Sequence, residues 1–137
     1  MKIEEIQNEI KADFELFDNW DERFEYLISL GKSLQPMQEI YKTDENIIKG
    51  CQSKVWIFAH KKEDKLIFEA DSDAIITKGI VALLMLVFSN KTPSEILEAD
   101  TKFIDEIGLK EHLSPNRANG LVSMIKQIKF YALALQN

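Results

Sequence analysis

The chain of 137 residues contains one cysteine, two histidines, three prolines and five glycines. A single cysteine excludes an internal disulfide. It also excludes a zinc or iron–sulfur centre held by several cysteines of one chain. No grouping of His, Cys and carboxylate has metal-ligand spacing, and no glycine-rich phosphate loop is present. The longest apolar run falls within residues 80–88, far short of the roughly 20 residues a membrane-spanning helix needs. The N-terminus, Met1-Lys2-Ile3-Glu4-Glu5, lacks the cationic segment and apolar core of a signal peptide. A lone thiol fits a reducing, cytoplasmic setting.

The formal net charge is -6, which disfavours nucleic-acid binding because phosphate contact needs clustered Lys and Arg. Hydrophobic residues make up 45% and charged residues 29%, a balance that argues against disorder. The length suits one domain, residues 1–137, with one core.

Apolar periodicity predicts a helix over residues 3–17, from Ile3, Ile6, Ile10, Phe14 and Phe17. Asn19 with Glu22 resembles a capping box and opens a second helix over about 20–34. Its expected buried face is Trp20, Phe24, Leu27, Ile28 and Gly31. Pro36 disfavours helix continuation. Met37, Ile40 and Tyr41 imply that residues 35–46 lie against the body.

The pattern then changes to period two. Val55, Ile57 and Ala59, then Leu66, Phe68 and Ala70, alternate around the polar turn Lys61-Lys62-Glu63-Asp64, as in an antiparallel hairpin. Ile47-Ile48-Lys49 is expected to add a third strand, since two strands alone are marginal. Asp73 is the expected N-cap of a helix over 74–89 that is apolar nearly all round, and so buried. Asp71-Ser72-Asp73 reads as cap and turn, because the rest of a calcium loop is missing. Thr92-Pro93-Ser94-Glu95 starts a short helix, and another covers about 101–107. The last helix begins at Ser114-Pro115, with Leu121, Met124, Ile125, Ile128, Ala132 and Leu135 on its core face. The class is α+β, a small antiparallel sheet of about three strands packed with helices.

Cys51 admits two readings from its surroundings. Free cysteine is often a small buried hydrophobe. Against that, Gly50 permits unusual backbone angles, Gln52 and Ser53 are polar neighbours, and a loop-to-strand junction suits a functional group. His60 lies at the far end of the following strand. At about 3.3 Å per residue it falls well beyond hydrogen-bond reach of the thiol. His112 is not placed by the sequence. Arg117 occupies the first turn of the last helix, a turn that favours acidic residues. It serves either a functional contact or an ordinary ion pair. Gly120 weakens that helix and permits close packing.

The stretch Gly50-Cys51-Gln52-Ser53-Lys54-Val55-Trp56 closely resembles the SufE family of sulfur acceptors. The block from Trp20 to Gly31 is similar to the family's second helix. Ser114-Pro115-Asn116-Arg117-Ala118-Asn119-Gly120-Leu121 is similar to the start of its last helix. The resemblance spans most of the chain and implies the fold shared with IscU-type scaffolds. It implies that Cys51 takes persulfide sulfur from a pyridoxal-phosphate-dependent cysteine desulfurase, stimulates that enzyme and delivers sulfur to an iron–sulfur scaffold. No cofactor is expected on this chain itself. Gly50, Gln52, Ser53 and Arg117 are the expected supporting or partner-binding residues. Trp56, Phe58 and the last helix are expected to wall a shelter for the sulfur. A single cysteine favours a carrier over a scaffold. The alternatives are a stand-alone cysteine-nucleophile transferase or hydrolase, which needs a nearby base, and a non-catalytic interaction module. Monomer and homodimer are both compatible with the sequence.

Overall fold

A computed structural model describes residues 1–51 and 53–136. Helices α1 (Ile3–Glu15) and α2 (Trp20–Lys32) follow one another at the N-terminus and meet near their junction, where Phe14 contacts Trp20 and Tyr26. Two 3₁₀ turns, Glu39–Tyr41 and Asp44–Asn46, lead to strands β1 (Val55–Lys62) and β2 (Lys65–Ser72). Helices α3 (Ile75–Phe88), α4 (Pro93–Glu98) and α5 (Lys102–Glu106) follow. The 3₁₀ turn Lys110–His112 then precedes α6 (Pro115–Ala134). The class is α+β, as the period change in the sequence implied. Among the described residues, no helix is long and apolar enough to cross a membrane.

The local chemistry explains most boundaries. Asn19 accepts a hydrogen bond from the Glu22 N–H at 2.9 Å and starts α2. Thr92 and Glu95 cap α4 reciprocally. The Ser114 hydroxyl accepts the Arg117 N–H, and Pro115 takes the first position of α6.

The sheet has two strands among the described residues, paired antiparallel from Val55↔Ser72 to Lys62↔Lys65. The expected third strand at Ile47-Ile48-Lys49 is reduced to a single bridge, Ile47↔Trp56. The physical reason lies on both sides of it. The Asp44–Asn46 turn precedes the bridge and Gly50, at φ 90°, follows it, so the ladder has no room to extend. Alternation puts Val55, Ile57, Ala59, Leu66, Phe68 and Ala70 into the core. Across the opposite face lies the segment expected to pack there. Met37 is buried and Tyr41 stacks on Phe58 at 4.1 Å, whereas Ile40 is exposed.

Helix α3 is the centre of the core, packed by α1, α2, β2 and α6. From Gly79 to Met85 every residue is buried. Its start differs from the expectation. The cap position is Ala74, whose N–H donates to the Ser72 hydroxyl. The Asp73 carboxylate is turned instead to the Lys54 N–H at 3.0 Å. Where α2 crosses α3, the two backbones touch. A Cβ on Gly79 would overlap the Leu27 carbonyl, and one on Gly31 would lie 2.9 Å from the Gly79 nitrogen.

Gly79→Ala is therefore expected to destabilise the protein by about 1–3 kcal/mol through overpacking, although alanine is the better helix former by about 1 kcal/mol. Urea unfolding measures it. A variant as stable as the parent would show that the helices do not approach this closely.

Candidate functional site

The loop from Ile48 to Lys54 is held at its two ends. At entry, the buried Ile48 donates its N–H to the Val55 carbonyl at 2.8 Å. At exit, Lys54 is fastened three times. Its N–H donates to Asp73, and its carbonyl accepts from the Asp73 N–H at 3.2 Å and the Ser72 hydroxyl at 2.9 Å. Between the ends, the described residues make few hydrogen bonds. The Ser53 hydroxyl meets that of Thr77, a buried residue of α3, at 3.4 Å. Gly50 takes the left-handed backbone region, where a side chain is strained.

Cys51 is half-buried and packs against the core. Its sulfur lies over Gly120 in α6. A Cβ built on Gly120 would stand 2.8 Å from the Cys51 Sγ and 3.6 Å from its Cα and Cβ. One turn further along α6, the Ser123 hydroxyl oxygen stands 3.2 Å from where a Gly50 Cβ would be. The tip of the loop thus rests on one face of the last helix.

Burial pushes the Cys51 thiol above its ordinary range, with no charge or hydrogen bond acting the other way. At neutral pH the resting sulfur is a protonated thiol. Neither histidine supplies a base. His60 faces Glu69 on the sheet, with its Nδ1 3.9 Å from the carboxylate. His112 stacks on Trp20 at 3.9 Å, and its Nδ1 meets the Gly108 carbonyl. Among the described residues, no three His, Cys, Asp or Glu side chains are grouped to hold a metal ion.

The structure brings Gly50, Cys51 and Ser53 together on one loop and sets α6 beneath it. Gln52 lies outside the described residues. Arg117 is exposed in the first turn of α6, three residues before Gly120, and makes no ion pair among the described residues. Of the expected shelter walls, α6 provides the contact with the sulfur. Trp56 and Phe58 are engaged elsewhere, by Lys42 at 5.9 Å and by Tyr41 respectively. Sequence reasoning missed Thr77 and Ser123. Thr77 carried one signal, a hydroxyl within an otherwise apolar helix. Ser123 carried none.

Comparison with known proteins identifies the family. Residues 8–132 match the SufE family, described as an Fe-S metabolism associated domain. A SufE-like protein of Rhizobium meliloti is 46% identical over 127 residues, covering 89% of this chain and 91% of that one. A SufE-like protein of Rhizobium etli is 42% identical over 127 residues, covering 89% and 86%. The solution structure of a hypothetical protein from Thermus thermophilus superposes with a TM-score of 0.79 over 94% of each chain, at 18% identity, and shares the fold. The chain belongs to the SufE family and, with that family, to iron–sulfur metabolism.

Proposed function

We propose that this protein is a sulfur acceptor and carrier that works with a cysteine desulfurase. The desulfurase, whose pyridoxal phosphate releases sulfur from cysteine, presents a persulfide on its own cysteine. The Cys51 thiolate attacks the outer sulfur. A new S–S bond forms at Cys51, the donor's S–S bond breaks, and the donor cysteine leaves as a thiolate. The proton lost from Cys51 balances that leaving group, so no external oxidant or reductant is needed. The persulfide then moves to the machinery that assembles iron–sulfur clusters in the cytoplasm.

One observation carries this reading. The thiol is seated against α6 with burial as the one influence on its ionisation. A self-sufficient cysteine enzyme lowers its thiol's pKa with a neighbouring base or cation. Here the shift has the opposite sign, which suits a sulfur that stays inert until a partner draws it out. Seating also protects a bound persulfide from stray thiols and oxidants. Gly50 supplies the hinge, Ser53 gives the loop a polar group, and the exposed Arg117 meets the partner beside the seat.

Cys51→Ser is expected to keep the fold and lose all stimulation of a cysteine desulfurase. Intact mass of the wild type after incubation with desulfurase and cysteine should show a reducible gain of about one or more sulfur atoms, absent from the variant. Undiminished stimulation by Cys51→Ser ends the proposal. Arg117→Ala is expected to require about tenfold more protein for half-maximal stimulation, the effect of losing about 1.4 kcal/mol of contact energy, with an unchanged melting temperature. Equal titration curves would remove Arg117 from the interface.

The raised Cys51 pKa gives a pH test. Alkylation of the native protein should have its midpoint above the value of about 8.5 for free cysteine. In urea the midpoint should fall to that ordinary value. The unfolded chain then releases its proton first, so this group's contribution to stability is fully present below the unfolded midpoint. It is lost as pH rises through the folded one. Coincident native and unfolded midpoints would contradict the buried seat.

A further inference from the structure

Gly120 sits in the second turn of a 20-residue helix, where glycine is the least favourable residue apart from proline. Its backbone is helical, so no unusual angle demands it. The explanation has to be space. The three nearest atoms to a Cβ built there all belong to Cys51, with the sulfur at 2.8 Å and the next two at 3.6 Å. Gly79 is different, because there the added atom would meet the backbone of another helix. At Gly120 the one contact inside van der Waals distance among the three nearest atoms is the tip of a side chain on a loop. The missing side chain leaves room for the thiol.

We propose that Gly120 is a positioning residue for sulfur transfer: its missing Cβ is the seat that holds Cys51 in the sheltered state. The size of residue 120 then sets the balance between sheltered and presented sulfur. The purpose of this balance rests on the carrier function above, but the seat itself does not. A methyl group at 120 lifts the sulfur, and the displacement has one route. The loop's ends are fastened by the Ile48–Val55 hydrogen bond and by the Ser72 and Asp73 contacts to Lys54. Between them remain the Gly50 hinge and the long Ser53–Thr77 contact. The tip swings outward while the rest of the fold stays in place. Among the described residues, none of Lys49, Lys54, Asp71, Asp73 and Lys78 near the loop, nor Arg117, Lys126 and Lys129 of α6, hydrogen-bonds to the Cys51 sulfur. Burial is the cause of its raised pKa, so a change in the thiol's titration reports exposure.

The test compares Gly120→Ala in the wild-type and Cys51→Ala backgrounds, without desulfurase. In the wild-type background, iodoacetamide should modify Cys51 faster at neutral pH. Exposure relieves the burial that raises the thiol's pKa, so the thiolate fraction grows and the pH midpoint of alkylation should move down. In the Cys51→Ala background the sulfur is gone and the remaining contacts at 3.6 Å are ordinary. There, alanine at 120 should raise the melting temperature, because it is the stronger helix former. With Cys51 present, that gain should be smaller or reversed. Equal alkylation rates together with equal melting shifts in the two backgrounds would overturn the seat. Should Gly120→Ala fail to fold, the double variant decides. Recovery of the fold on removing the sulfur supports the seat, and continued failure overturns it. Desulfurase stimulation by wild type and Cys51→Ser tests the carrier function separately.

Discussion

Helix α3 has to be covered over most of its surface, and the architecture is the way this chain covers it, leaving Ile75 and Leu86 exposed. The α2 backbone closes on one face through Gly31 and Gly79, the inner face of β2 takes another, and α1 and α6 complete the shell. Each large apolar side chain so buried contributes about 1.5–3 kcal/mol. A single hydrogen bond such as Ser53–Thr77, long at 3.4 Å, contributes about 1 kcal/mol at best. The scaffold is therefore held by many large terms and the interior of the Cys51 loop by few small ones. The division between a fixed body and a soft loop follows from that difference in magnitude.

The loop resolves a conflict in thiol chemistry. Reactivity needs a thiolate, whereas protection of a transferable sulfur needs exclusion from solvent, and exclusion disfavours the charged form. A nearby histidine or cation would relieve the conflict inside the chain, and neither His60 nor His112 is placed to do so. The resting fold half-buries the thiol against α6, and on the proposed carrier role activation is left to whatever displaces the loop. That arrangement suits a protein whose chemistry proceeds only in company.

What the sequence revealed tracks the range of the interactions involved. The hairpin was legible because Val55, Ile57 and Ala59 alternate, and the start of α6 because Ser114-Pro115 is a local signal. The buried α3 was legible from composition alone. The errors came where a distant partner intervened. Asp73 has the chemistry of an N-cap, but the Lys54 N–H, far away in sequence, claims its carboxylate and leaves Ser72 to serve Ala74. Ile47 and Ile48 have the composition of a strand, but the turn before and the hinge after allow one bridge. At the site, Cys51 and Gly50 stood out by local features. Gly120 showed only as a glycine in the wrong place, and the reason lies across the fold in Cys51. The Ser53–Thr77 contact spans 24 residues, so the hydroxyl of Thr77 stood out in its helix while its partner stayed hidden.

The fastening of the loop also bounds the energy of its motion. Freeing the exit would break three hydrogen bonds at Lys54, at a cost of about 0.5–1.5 kcal/mol each. Freeing the tip breaks one long hydroxyl contact and uncovers a half-buried sulfur. Opening at the tip is thus the smaller perturbation among the described contacts, on the order of 1–3 kcal/mol, which corresponds to a minor state of about 0.6–16%. A partner need bind the presented loop only some tens- to hundreds-fold better than the sheltered one to make it dominant. On the proposed carrier role, the tip at Gly50 and Cys51 moves while Ile48 and Lys54 keep their hydrogen bonds to the strand and its flank. The sulfur then has a fixed origin rather than a frayed segment, and the hairpin and helix α6 keep the geometry to which it returns.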